Sequence, residues 1–451
     1  MPFSVWKKDK NTIIAWGVML LPLLFFFMST YYSDMWETYH DGLRFTDYLM
    51  EGRFFEYYKT NASLYFVPIY IIFGIWNFPI WVASHFFHAD IDSMGCLLWS
   101  KGIILLFTVG CIWMLCNILR EMKYDNLEYA VFLFASSLIF VFPAMVAVQY
   151  DVIELFFLLC ALFLYVKDKK LSWRSLLFFS VAISIKLFAL FIFLLLILAE
   201  EKRILYIIRN MIFGMSLTII SMLPFWNRGY WHGTGGRNIS FGYALISNNI
   251  PGGLSPISIF LFGYLMLCAV AYFYKKKDIR DNLRFIVWLS AVFFLLLFGF
   301  VNCHPYWIIL YLPFLVMIIV EHKENLKVNL LMETGLELVA ILAYGITYNW
   351  VYFSGSTFAY LIFKKINMLP DEEANFVSFL SMSDGGTSMC MIVASTVFIA
   401  CGIVLLAVNN PWKPILCEST EEEIVLVKKV SRILRIGIMV MLLCLMLIII
   451  F

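Results

Sequence analysis

A chain of 451 residues that is 62% hydrophobic and only 14% charged is not a water-soluble globule, since an average soluble domain carries roughly 25% charged residues. Its formal net charge of +2 offers no basic surface for a nucleic-acid partner. Its cysteines lie mostly inside apolar segments (Cys111, Cys116, Cys160, Cys268, Cys401, Cys444) with no CxxC and no Cys/His zinc spacing, so no metal site is expected.

In chain order, Lys7, Lys8 and Lys10 precede the apolar run 12–30, which has no small-residue cleavage site and reads as a retained first crossing. The segment 64–87 is apolar enough to cross but is interrupted by Pro68, Gly74, Asn77 and Pro79. It reads as a re-entrant or interfacial hairpin, tolerable at membrane depth only inside protein. Crossings are predicted near 101–120, 128–148, 152–166, 204–225, 255–274, 285–302, 305–321, 328–350, 387–408 and 434–451. The run 175–199, basic on both flanks, is predicted to be a broken pair with its break near Lys186. The expected fold class is therefore all-α, a polytopic transmembrane helical bundle of about 11–14 spans. With the N-terminus inside, the clusters Lys167/Lys169/Lys170/Arg174, Lys275/Lys276/Lys277/Arg280/Arg284 and Lys428/Lys429/Arg432/Arg435 all fall on the cytoplasmic side. Residues 31–63, 226–253 and 351–386 then face outward.

The first outer loop, TYYSDMWETYHDGLRFTDYLMEGRFFEYYKTN, interleaves carboxylates with Arg44, Arg53 and many aromatics. Asp41, Arg44, Phe45, Tyr48 and Leu49 have the spacing of an amphipathic helix lying in the interface. Asp34, just past the first crossing, and Asp41 are the candidate catalytic carboxylates, with Glu37 beside them. Gln149, Asp151 and Glu154 join two crossings, where unpaired polar groups cannot lie in lipid. Lys186, inside AISIKLFALF, needs an anion or snorkels to the interface. His304, in the turn Asn302-Cys303-His304-Pro305-Tyr306-Trp307, either binds a phosphate or caps the turn. The second outer loop supplies Trp231 for stacking on a sugar or packing in the headgroup belt, and Arg228 and His232 for a phosphate or acidic acceptor. Its glycines suit a loop that orders over substrate.

These residues together resemble the GT-C fold glycosyltransferases that use polyprenyl- or dolichyl-phosphate sugars. The nearest are the mannosyltransferases that add the first mannose in GPI-anchor synthesis, and their bacterial relatives. The resemblance is carried in order by Tyr32-Ser33-Asp34-Met35-Trp36-Glu37, Phe45-Thr46-Asp47, Glu51-Gly52-Arg53, Tyr57-Tyr58 with Pro68, Gln149 to Glu154, Ala182 to Leu187 and His304 to Pro313. The family's acidic motif is DxD where this chain has Asp34-Met35-Trp36-Glu37, and Asp41-Gly42-Leu43-Arg44-Phe45 resembles the start of a second GT-C motif. Two candidates for the catalytic acid therefore stand, Asp34 placed first. The resemblance implies a catalytic module over 1–325, including outer loops 31–63 and 226–253, followed by C-terminal spans over 326–451. It implies an inverting hexosyltransferase moving a sugar, mannose or another hexose, from a lipid-linked donor to a glycan, lipid or polymer acceptor. Lys186, Arg44, Arg228 and His304 would bind the donor phosphate, and Glu37, Gln149, Asp151, Glu154, Trp231, His232 and Tyr306 would contact the sugar or acceptor. No cofactor is expected, because a phosphate-monoester leaving group needs less neutralisation than a diphosphate. A bacterial plasma membrane is placed ahead of the endoplasmic reticulum, with the reaction at the outer or lumenal face. The alternatives are a polysaccharide polymerase or ligase and a lipid-linked-sugar transporter or flippase.

Overall fold

The computed structural model describes residues 10–30, 33–60, 65–124, 126–226, 236–253, 255–348, 384–412 and 420–450. Its helices are α1 (Lys10–Ser29), α2 (Ser33–Met50), α3 (Tyr57–Thr60), α4 (Val67–Phe87), α5 (Met94–Glu121), α6 (Leu127–Ser136) and α7 (Leu138–Phe140), which continues as a π-turn over Val141–Val146. Then come α8 (Asp151–Asp168), α9 (Trp173–Ile185), α10 (Phe188–Glu200), α11 (Ile204–Met222), α12 (Gly236–Ser247), α13 (Ile259–Phe273), α14 (Ile279–Phe300), α15 (Leu312–Glu321), α16 (Leu326–Tyr348), α17 (Asp384–Val408) and α18 (Glu421–Ile450). One antiparallel pair, β1 (Asn249–Ile250) with β2 (Ile257–Ser258), leads into α13. The expectation of an all-α polytopic bundle holds at this level. Six of these helices are long and apolar enough to cross a membrane, and two bent helix pairs raise that to eight. The chain is thus a multi-pass membrane protein, with fewer single-helix crossings than expected among the described residues.

The helix ends follow from local chemistry. Asn126 caps α6 by accepting from the Tyr129 N–H, Ser172 caps α9, Ser258 caps α13 and Asp278 caps α14, each satisfying a donor that the helix itself cannot. Thr420 and Glu423 form a reciprocal capping box at the start of α18. This starts α18 well before the expected 434, so Lys428, Lys429 and Arg432 also lie inside the helix, and Arg435 is buried.

Two expectations change and one is met. The hairpin read over 64–87 is a single 21-residue helix, α4. Pro68 falls in its first turn, where no backbone donor is needed, and Pro79 removes one bond from a helix held by packing. The crossing expected over 128–148 is bent by 58° between Ser136 and Leu138, where Ser137 adopts extended backbone. The break near Lys186 occurs as expected: α9 ends at Ile185, Lys186 is extended (φ −154°, ψ 150°) and α10 starts at Phe188. Each of these two helices has 13 residues, about 20 Å long against the ~30 Å hydrocarbon core.

The chain divides into two compact units, each discontinuous in sequence. One comprises Ser33–Glu121 and Tyr150–Cys303. In it α2 packs on α4, α8 on α5 and α9, and α11 on α9, while α10 packs on α13 and α14. The other comprises Met1–Tyr32, Met122–Gln149 and His304–Phe451. In it α1 packs on α18, and α16 lies along α17. Asn325, just before α16, and Asn329 within it are joined by side-chain hydrogen bonds to Asn409, just past the end of α17.

Candidate active site

The helix α2 sorts its residues by face. Met35, Thr38, Tyr39, Leu43, Phe45 and Thr46 are buried, and Glu37, Arg44, Leu49 and Met50 are exposed. Its approach to α4 is close because two glycines permit it. A Cβ on Gly42 would lie 2.8 Å from Phe73 Cβ, and one on Gly74 would lie 2.9 Å from Thr46 Oγ1. Asp34 stands half-buried in the first turn of α2. Asp41 follows seven residues later on nearly the same face, about 10 Å along the axis.

The Asp41 carboxylate is partly buried beside a cation and a tyrosine. Arg44 Nη1 donates to Asp41 Oδ1 at 3.0 Å, and the Tyr70 hydroxyl lies near the same carboxylate and favours its charged form. Tyr70 Oη in turn accepts from the Tyr65 N–H at 3.1 Å, so its single proton is left to donate towards Asp41. Burial raises the Asp41 carboxyl above its ordinary range, helped by the Glu37 charge and opposed by Arg44 and Tyr70. Tyr57 donates to the Asp41 carbonyl at 3.3 Å, and Tyr58 donates to the Tyr65 carbonyl at 2.5 Å. Phe45, Tyr57, Tyr58 and Tyr70 pack edge to face or stacked around this point, closed off by Phe225.

The same cluster continues to Lys186. The ring of Tyr65 meets that of Tyr150 with centroids 5.0 Å apart, and Lys186 Nζ lies 4.9 Å from the Tyr150 centroid. Lys186 forms an ion pair with Asp151 in the first turn of α8. The anion expected for this lysine is therefore supplied from within the chain. Glu154, one turn further on, accepts from the Ala189 N–H at 2.7 Å and so ties α8 to the start of α10. Asp151 and Glu154, expected as sugar contacts, are both fully buried and engaged in these internal bonds. Cys303 closes this end, its thiol pushed up to about 12 by burial, with the Lys186 charge opposing.

Of the remaining expected residues, some belong to the other unit and some lie outside the described residues. Gln149 and Tyr306 are buried in the other unit, and neither side-chain amide atom of Gln149 has a hydrogen-bond partner among the described residues. His304 is exposed, stacks on Tyr306 with centroids 5.2 Å apart, and does not cap the turn Pro305–Leu310 with its side chain. Arg228, Trp231 and His232 lie outside the described residues. Among the described residues no three His, Cys, Asp or Glu side chains are grouped as a metal would require. Sequence reasoning missed Tyr70, Tyr65 and Tyr150 as members of the site. A detectable signal existed, because a tyrosine hydroxyl in an apolar stretch must find a partner. Compared with protein-family models, with curated proteins and with solved structures, the chain matches none.

Proposed function

We propose that this chain is an inverting membrane glycosyltransferase that takes a hexose from a polyprenyl-phosphate donor, with Asp41 as general base and Lys186 at the leaving phosphate. The observation that carries the reading is the continuous path Asp41–Tyr70–Tyr65–Tyr150–Lys186, which puts a half-buried carboxylate and a cation in one aromatic cluster. In this reading Asp41 takes precedence over Asp34. Its burial moves its proton affinity towards neutral pH, where a general base works best.

The acceptor hydroxyl gives its proton to the Asp41 carboxylate as its oxygen attacks the anomeric carbon on the face opposite the phosphate. The anomeric carbon–oxygen bond breaks, and its electron pair leaves with the lipid phosphate. Lys186, paired with Asp151, sets a positive charge beside the aromatic cluster. Arg44, half-exposed beside Asp41, adds a second cation. Both would stabilise charge developing on the leaving phosphate.

The test is transfer in vitro by the purified full-length chain, supplied with a panel of polyprenyl-phosphate hexoses and membrane-extracted acceptors. Asp41→Asn is expected to lower turnover by about 10²–10⁴-fold, the usual weight of a general base, and Asp34→Asn by much less. Equal turnover by parent and Asp41→Asn would remove the base from this residue. Absence of transfer from every donor would remove the activity.

A further inference from the structure

A second buried charged cluster lies in the other unit and plays no part in the chemistry above. Arg435 of α18 pairs with Glu333 of α16, reaches Glu337 Oε1 at 3.2 Å and approaches Ser136 Oγ at 3.4 Å. The three charged side chains are at most 5% exposed. Leu138 N–H donates to Glu337 Oε1 at 3.2 Å. Glu333 and Glu337, one helical turn apart on α16, both reach the same guanidinium.

Charge balance decides the protonation of this pair. One guanidinium offsets one carboxylate, and a second buried carboxylate left ionised would cost several kcal/mol. Among the described residues the surrounding elements do not supply the missing cation. From α18, Arg432 pairs with Glu128, and Lys428 lies over the Tyr129 ring at 5.3 Å. The α6 residues Tyr129 and Ser136 are neutral, α7 offers a backbone N–H, and α17 presents Cys401 against Gly335.

A cavity of about 680 Å³ runs between α16 and α18, with Glu337 and Arg435 in its lining alongside Lys323, Lys327 and Glu423. Glu337 is 14 residues from Lys323, a distance of about 20 Å along a helix. The cavity therefore leads from the charged helix starts to the buried cluster, with room for the water that proton exchange needs.

We propose that the Glu333–Glu337 pair is a proton-binding site that holds one exchangeable proton at neutral pH, and that losing this proton loosens α18 from α16 and α6. This inference is independent of the glycosyltransferase reading. Infrared spectroscopy of the purified full-length protein in lipid nanodiscs tests it directly. The expected result is a protonated-carboxyl stretching band at neutral pH, abolished by either Glu333→Gln or Glu337→Gln, since the carboxylate that remains is ionised beside Arg435. As the pH is raised the parental band fades and the thermal unfolding midpoint falls with it, whereas the midpoints of the glutamine variants stay level. Glu333→Asp keeps a carboxyl and should shift the band, which serves if a glutamine variant does not fold. A parental protein without the band at neutral pH, a band unchanged in all three variants, or a midpoint that tracks the glutamine variants would each overturn the proposal.

Discussion

At the scale of single residues, the site depends on how buried charges are satisfied. Tyr70 receives one hydrogen bond from the Tyr65 backbone, which leaves its own proton to be directed towards Asp41. This donor favours the ionised carboxylate and opposes the effect of burial. Tyr70→Phe should therefore raise the Asp41 proton affinity further. Because the base must be ionised to act, the acid limb of the pH–rate profile should move to higher pH, with little change on the alkaline side. A profile superimposable on the parent would show that Tyr70 does not act on Asp41. The Lys186–Asp151 pair gives a second residue-level expectation. Removing one partner of a buried ion pair leaves an uncompensated charge and costs about 3–5 kcal/mol, so Asp151→Asn alone should sharply lower the thermal unfolding midpoint. The double change Asp151→Asn with Lys186→Met removes both charges and should recover much of that loss. An equal loss in the single and double variants would mean that the pair contributes only through shape.

At the scale of elements, the position of Asp41 rests on the contact between α2 and α4. The two glycines there are unequal. A methyl on Gly42 meets Phe73 at its Cβ and at its carbonyl carbon, neither of which can rotate away, whereas one on Gly74 is close only to the Thr46 hydroxyl and meets the Gly42 carbonyl oxygen at an ordinary 3.5 Å. Overpacking of this kind costs about 1–3 kcal/mol. Gly42→Ala should lower both the unfolding midpoint and turnover, more than Gly74→Ala does. Gly17→Ala in α1, where a Cβ meets nothing within 4 Å, should be neutral or stabilising by up to about 1 kcal/mol. The reverse ranking of the two α2–α4 variants would displace this contact from its role. What the sequence made legible at this scale was whatever hydropathy and local charge report. The apolar helices, the amphipathic α2 and the interruption at Lys186 all follow from residue spacing. The ends of α18 and the continuity of α4 do not, because a proline inside a helix or a buried arginine is decided by partners distant in the chain. Arg435 reads as one of four clustered cations until Glu333 and Glu337, about a hundred residues away, are seen beside it. For the same reason Tyr70 was invisible as a partner of Asp41, although both residues lie in stretches that were singled out.

At the scale of the whole molecule, the open matter is which helices cross. By length and composition α4 is able to do so, and a crossing there would invert the sidedness of every later loop. The contacts of α2 argue against it. Near its start α4 sets Phe73 against Gly42 and Gly74 against Thr46 of α2. Near its end Trp81 donates to Asp47 Oδ1 at 2.6 Å, and His85 Nε2 lies 3.3 Å from the same atom. Beyond that end, the Ile91 carbonyl accepts from the Tyr39 hydroxyl at 2.9 Å, and Asp92 pairs with His40 at 3.3 Å. Both ends of α4 are thus fastened to one 18-residue amphipathic helix. That helix carries carboxylates and arginine along its length and belongs in the interface rather than across the hydrocarbon. We expect α4 to lie beside α2 at the same membrane face. Single cysteines at Ala89 and at Arg53, in a chain whose own cysteines are replaced, should then react with a membrane-impermeant reagent from the same side. The basic loops at Lys169 and Lys276 should react from the opposite side, as their charge requires. Labelling of Ala89 and Arg53 from opposite sides would make α4 a true crossing, and the clusters around Lys169 and Lys276 would then have to exchange faces with it.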